Sequence, residues 1–188
     1  ETKKKKIGRL LHKIDKILYL STSEHEEFIK HYHCEERKLV YTRYGINFEA
    51  YGPDAIGIKP KGFVIEDFIL SVGTDQHRDL QLLDLVAESN KDKTFVVCSG
   101  SPEHHKQVFK SKNIILLKAT YNEMVYLYRK CKFVVIPLKF NFHASGITTL
   151  LEAAAAKKAV VINYTPGLED YGINIHDLEE LESDAGLG

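Results

Sequence analysis

From about residue 60 onward, short continuous apolar runs alternate with amphipathic helical runs, and this alternation narrows the possible folds most sharply. The apolar runs are Phe68–Val72, Thr94–Cys98, Asn113–Leu117, Phe133–Pro137 and Ala159–Asn163. A run apolar at every position, rather than at every second one, suits a strand covered on both faces, as in a parallel sheet. Between these runs the pattern predicts helices over Arg78–Ser89, Pro102–Lys110, Tyr121–Cys131 and Gly146–Lys157. Ser101 followed by Pro102 reads as an N-cap with a first-turn proline, and Thr120 with Glu123 as a capping box. The βαβα order predicts an α/β fold with an open, doubly wound parallel sheet.

The first 58 residues read differently. Ile7, Leu10, Leu11, Ile14, Ile17 and Leu18 share one helical face. A β-type run at Ile17–Leu20 overlaps that pattern, so the helix is expected to stop near Lys16. Ser23 and Glu26 form a second capping-box pattern, for a helix through about Tyr32. Lys38–Thr42 reads as a short strand. The stretch from Glu49 to Lys61, with Gly52-Pro53, Gly57 and Pro60-Lys61-Gly62, reads as a linker. The expected division is therefore 1–58 as a helical and strand extension with its linker, and 59–188 as the sheet domain.

The 26 basic and 26 acidic side chains cancel, so no global field favours nucleic acid. Cys34, Cys98 and Cys131 are odd in number and far apart, which favours buried thiols in a reducing compartment over disulfides. No apolar run approaches the roughly 20 residues of a membrane span, and no signal peptide is visible. A start at Glu1 and a polar Ser183–Gly188 tail suggest a fragment of a longer protein.

The chemistry is expected around the fourth apolar run. Phe133–Pro137 leads through a polar loop into a helix opened by Ser145-Gly146, and the next strand follows. A helix beginning on small residues brings free N–H groups and the positive end of its dipole close to an anion. Glu152, nearly two turns in, cannot favour a phosphate, but it can accept hydrogen bonds from sugar hydroxyls beside one. In a doubly wound sheet, ligands bind where strand order reverses, outside the carboxyl ends of the strands. With Phe68–Val72 as first strand and Phe133–Pro137 beside it, the loop Gly73–Asp79 faces the loop Leu138–Ser145 across that point. Arg78 is then a candidate phosphate partner, its planar fork matching phosphate oxygens. Asp75 and Asp79 are its alternative local partners.

These residues resemble a known family. Gly73 through Arg78-Asp79-Leu80, with Leu83, is similar to the segment after the first strand of the C-terminal domain in GT-B glycosyltransferases. Pro137, Ser145-Gly146, Leu151-Glu152-Ala153 and Lys158–Val161 resemble the donor-site segment of the same enzymes, especially glycosyltransferase family 4. Thr165–Tyr171 continues the similarity, as do Tyr19-Leu20-Ser21, Glu27-Phe28 and Arg43–Asn47 upstream. The resemblance implies a Rossmann-like donor-binding domain preceded by a remnant of the N-terminal domain. It implies Arg78 at a donor diphosphate, with Gly73 letting the backbone approach. Ser145, Gly146, Ile147 and Thr148 would then donate at the helix start, and Glu152 would bind the ribose. The backbone near Leu117 and Lys118 would edge the base, and His143 would lie near the sugar or phosphate. Two positions depart from the family. Ala144 stands where an acidic residue meets the donor sugar, and Thr74 where an arginine follows the first-strand glycine.

The expected partner is a nucleotide-diphosphate sugar such as a UDP- or GDP-sugar, with no metal and no separate cofactor. The acceptor is open, a lipid-linked or glycan molecule among the choices. Lys3–Lys6 with the apolar face behind it suits either a peripheral membrane contact or the last helix of an N-terminal domain. The expected location is cytoplasmic. His31, His33 and Cys34 form a local H-x-H-C cluster without the second cluster a zinc site needs. His104 and His105 are expected on opposite sides of their helix. The alternatives to a transferase are a nucleotide-sugar epimerase on the same architecture, or a degenerate binding or interaction domain, motivated by Ala144 and Thr74.

Overall fold

The computed structural model describes residues 3–172, with side chains from residue 6 onward; the Ser183–Gly188 tail and the side chains of Lys3, Lys4 and Lys5 lie outside the described residues. By compactness the chain divides into two units, Glu1–Tyr44 with Phe140–Ser145 and Tyr164–Gly188, and Gly45–Lys139 with Gly146–Asn163. The expected boundary at residue 58 thus differs from the compact division, which sends residues 45–58 to the sheet unit.

The sheet unit has five parallel strands: β3 (Phe68–Val72), β4 (Thr94–Cys98), β5 (Ile114–Leu117), β6 (Val134–Ile136) and β7 (Val160–Ile162), in the spatial order β5-β4-β3-β6-β7. The crossover falls between β3 and β6, where Leu70 pairs with Val134. All five β3 residues are buried, four of them apolar with Ser71 between, as expected of a strand covered on both faces. On one sheet face Ile69, Phe95 and Val97 pack with Leu80, Leu83 and Ala87 of α3 (Leu80–Ser89). Helices α5 (Tyr121–Lys130) and α6 (Ile147–Ala155) pack against β3 and β6 respectively. The capping box of α5 forms as its sequence predicts, with the Thr120 hydroxyl and Glu123 carboxylate bonded reciprocally to backbone N–H groups. Asp79 caps α3 by accepting from the N–H of Leu82 at 3.0 Å, so that helix begins at Leu80 rather than Arg78.

Helix α4 covers only Pro102–His105, not the expected Pro102–Lys110. Competing partners explain the early stop. His104 Nδ1 shares a 2.8 Å hydrogen bond with Ser99 Oγ, and His105 Nε2 one of 2.7 Å with the Ser99 carbonyl. The two histidines thus converge on one residue, although the helix pattern places them on opposite sides. Farther on, the N–H groups of Lys110 and Ser111 bond Asp84 at 2.8 and 2.9 Å instead of continuing a helix.

The expected linker is a packed strap. Tyr51 is buried, the N–H of Ile58 donates to the carbonyl of Asn122 on α5 at 2.9 Å, and Arg129 Nη1 donates to the carbonyls of Pro53 (2.6 Å) and Ala55. Gly and Pro here serve close packing rather than freedom.

The other unit contains α1 (Lys3–Leu11), β1 (Ile17–Tyr19), α2 (Ser23–Tyr32) and β2 (Leu39–Tyr41), with β1 and β2 paired in parallel. Helix α1 ends at Leu11 rather than Lys16, because a turn with Lys13 N–H bonded to Leu10 carbonyl diverts the chain into β1. The Ser23/Glu26 capping box does not form. Thr22 occupies the N-cap position, and its hydroxyl and N–H are taken by Asp170, at 2.6 Å for the N–H. Cys34, Cys98 and Cys131 are all free and buried. Among the described residues no helix is long and apolar enough to cross a membrane, and no group of three or more metal-ligating side chains converges.

Candidate functional site

The crossover brings two loops of the sheet unit together. The N–H of Asp79 donates to the carbonyl of Pro137 at 3.0 Å, and that of Lys139 to the carbonyl of His77 at 2.8 Å. Asn163, just after β7, fixes the exit of β6 by a two-way amide fork to Leu138, both bonds 2.7 Å. These loops are therefore rigidly framed where a parallel sheet opens its binding crevice.

Arg78 lies at the centre of that frame, only 6% exposed. Its Nη2 donates to Thr149 Oγ1 at 2.8 Å, while Nε and Nη1 have no hydrogen-bond partner. Asp79 caps α3 instead, while Asp75, which accepts from the N–H of His77, acts on the guanidinium electrostatically. The guanidinium is walled by two glycines. A Cβ on Gly73 (φ +154°) would sit 2.1 Å from Arg78 Nε, and one on Gly146 (φ +82°) 3.0 Å from Nη1. The candidate phosphate partner is thus held behind backbone made thin by missing side chains. Burial lowers its pKa, with Tyr128, Asp75 and Glu152 opposing the fall. Arginine nevertheless stays protonated at neutral pH.

Gly146 is also the N-cap of α6, and no side chain caps that helix. The positive end of the α6 dipole and an incompletely bonded buried guanidinium thus share one place. Two positive ends together repel, and an anion beside them relieves that repulsion. Of the expected helix-start donors, Ile147 is buried at 4% exposure and Thr148 is exposed.

Glu152 is 7% exposed and not a solvated helix residue. Its Oε2 accepts from the Tyr128 hydroxyl at 2.8 Å, and Tyr51, edge-on to the Tyr128 ring with centroids 5.5 Å apart, stands near enough to the same carboxylate for it to raise the Tyr51 pKa. Thr149 Oγ1, which accepts from Arg78, donates to the Val72 carbonyl at 3.1 Å. Buried hydrogen bonds thus join Arg78 to Thr149 and Tyr128 to Glu152, and Thr149 and Glu152 lie on the one helix α6. Burial, then the neighbouring carboxylate, raise the Tyr51 and Tyr128 pKa values, so both phenols remain donors.

Thr149, Tyr128 and Tyr51 are absent from the sequence-derived set. Tyr128 carried a signal, since a tyrosine at a buried helix position needs a partner for its hydroxyl. Tyr51 lay in a stretch read as linker and carried none. Leu117 and Lys118 line a cavity of about 360 Å³ together with Pro60, Phe63, Ile115 and Glu123, beside the edge strand β5. Ser145 and His143 fall in the other unit. There the Ser145 N–H donates to the His143 carbonyl at 2.7 Å, and His143 Nδ1 lies 2.8 Å from Glu24 Oε1.

No family model matches the chain, and no curated protein matches it. Among solved structures it is similar to a glycosyltransferase from Rickettsia africae ESF-5, with TM-score 0.63 and 16% identity over 88% of this chain and 49% of that one. It is also similar to the catalytic domain of Starch Synthase IV from Arabidopsis thaliana, a structure bound to ADP and acarbose, with TM-score 0.61 and 14% identity over 90% and 43% of the two chains. The chain thus spans about half or less of the length of these proteins. The likeness is one of fold: the five-stranded parallel sheet with its flanking helices is a Rossmann-like half of a GT-B glycosyltransferase fold.

Proposed function

We propose that the sheet unit binds the nucleoside diphosphate part of a nucleotide-sugar donor, and that the complete protein transfers the sugar to an acceptor. The observation that carries this reading is Arg78: a buried guanidinium with two unpartnered nitrogens, set behind the uncapped N-terminus of α6. Backbone N–H groups of α6 would meet the diphosphate directly, and Arg78 would supply fixed positive charge from behind. Glu152, held by the Tyr128 hydroxyl, would accept from the ribose. The cavity beside Leu117 and Lys118 would take the base. Starch Synthase IV, bound to ADP in its structure, supports a nucleoside diphosphate as the ligand class at the level of fold.

In such a transferase, the chemistry is stabilisation of a departing nucleoside diphosphate by preorganised positive charge, strongest as negative charge builds on the leaving group. Ala144, in place of an acid at the donor sugar, favours a second reading in which the domain binds the donor without turning it over.

Calorimetric titration with UDP, GDP and ADP tests the first claim. Saturable binding of at least one, weakened in Arg78→Met, is the expected result; a folded protein that binds none of them overturns the donor-site reading. Incubation of the full-length protein with nucleotide sugars then separates transfer from binding alone.

A further inference from the structure

We propose that Tyr128 and Tyr51 are positioning residues that set Glu152 for ribose recognition, so that the strap 45–58 forms part of the nucleotide site. This rests on the donor-site reading and adds residues to it that come from outside its sequence motif. A carboxylate has about four lone-pair directions. Tyr128 takes one of them at 2.8 Å on Oε2, with Tyr51 packed edge-on against the Tyr128 ring, which leaves acceptor capacity for the two hydroxyls of a ribose.

The tyrosines are themselves held firmly. Tyr128 is fully buried, and the Tyr51 ring meets the rings of Tyr128 and Tyr121 edge-on, with centroids 5.5 and 5.6 Å apart. Arg129 and Ile58 tie the strap that carries Tyr51 to the strap-facing side of α5. A glutamate side chain has three rotatable bonds, and restraint at its tip removes rotamers that a ligand would otherwise have to freeze. Ribose and diphosphate recognition are linked through α6, because Thr149, which holds Arg78, and Glu152 both lie on that helix.

The test compares nucleoside diphosphates with their 2′-deoxy and 3′-deoxy counterparts on the wild-type chain, Tyr128→Phe, Tyr51→Phe and Glu152→Gln. The wild type is expected to prefer the ribose form by about tenfold, the value of one good hydrogen bond to a charged group. In both tyrosine variants the preference is expected to fall towards that of Glu152→Gln, while affinity for the deoxy form stays unchanged. A purely structural role would instead lower affinity for both forms alike. If Tyr128→Phe does not fold, Tyr51→Phe on the strap gives the same reading. Retention of the wild-type ribose preference in both variants, or binding without any preference in the wild type, overturns this inference and leaves the donor site standing. Failure of the folded wild type to bind any nucleoside diphosphate overturns the donor site, and this inference with it.

Discussion

Arg78 and Thr149 are joined by a 2.8 Å hydrogen bond from Nη2 to Oγ1, and this is the guanidinium's one side-chain hydrogen bond among the described residues. Removing one partner of a buried charge pair normally costs several kcal/mol, because the other charge is left uncompensated. Arg78 is favoured electrostatically by Asp75 and Glu152, yet two of its guanidinium nitrogens, Nε and Nη1, lack a hydrogen-bond partner. Its burial is an expense to the fold rather than a support.

Arg78→Met is therefore expected to leave stability within about 1 kcal/mol of the wild type, or to raise it, since the apolar replacement removes an underbonded charge. Binding of nucleoside diphosphate is expected to weaken at least tenfold in the same variant. Urea denaturation and calorimetry read the two effects separately. A large loss of stability with unchanged binding would assign Arg78 to structure alone.

Gly73→Ala tests why the glycine is there. The positive φ disfavours any side chain, and the new Cβ would fall 2.1 Å from Arg78 Nε. A cost of about 2 to 4 kcal/mol is expected, part backbone strain and part steric conflict. The steric part should vanish when Arg78 is shortened. Gly73→Ala in an Arg78→Ala background is thus expected to cost about 1 to 2 kcal/mol, the strain alone. Additive effects in that double-mutant cycle would show that the glycine serves backbone conformation only.

Much of the sheet was legible because continuous apolar runs leave few alternatives: β3 and β4 begin and end where their residues predict. The strand order followed from the position of the crossover. Failures came where a distant partner outbid a local signal. The expected cap of α2, Ser23, gives its hydroxyl to the carbonyl of Phe142, 119 residues away, and Ser99 gathers two histidines whose helix then stops. In the site, Glu152 and Arg78 stood out by type and spacing. Their burial did not: Arg78 is enclosed by Gly73, Gly146 and Thr149, and Glu152 meets Tyr128 of α5, itself packed by Tyr51 of a strap whose Gly and Pro content resembles that of a loose linker.

Cys98 and Cys131 set the alkaline limb of stability. Burial pushes both thiols up to about 11, against the lowering influence of a backbone bond at Cys98 and of Lys158 at Cys131. In the unfolded chain a thiol titrates near 8.5 to 9, roughly its free value. Between the two values the unfolded state binds fewer protons, so the stabilising contribution is complete below about pH 8.5 and is lost as pH rises towards 11. The raised pKa values of Tyr51 and Tyr128 act in the same direction at higher pH. The two thiols together are expected to cost several kcal/mol, about 2 to 3 each, across that window. Urea midpoints measured from about pH 8 to about pH 10.5 should fall, and the fall should shrink in a Cys98→Ala/Cys131→Ala double variant.

Arg129→Ala tests the strap as a structural element. Its Nη1 bonds two carbonyls, of Pro53 at 2.6 Å and of Ala55, and nothing else charged holds that turn among the described contacts. A bond from a charged donor contributes about 1.5 to 3 kcal/mol where it is sheltered, and less on an exposed helix face such as this one. A global loss near 1 kcal/mol is expected, with a larger local effect. The amides of residues 45–58 should exchange faster and the segment should become the first site of protease cleavage, while β3 and β4 keep their protection. Arg129→Lys, with a single ammonium in place of the fork, should fall between the two. Unchanged exchange in the strap would mean that Tyr51 and Ile58 hold it unaided, with Arg129 only resting on its surface.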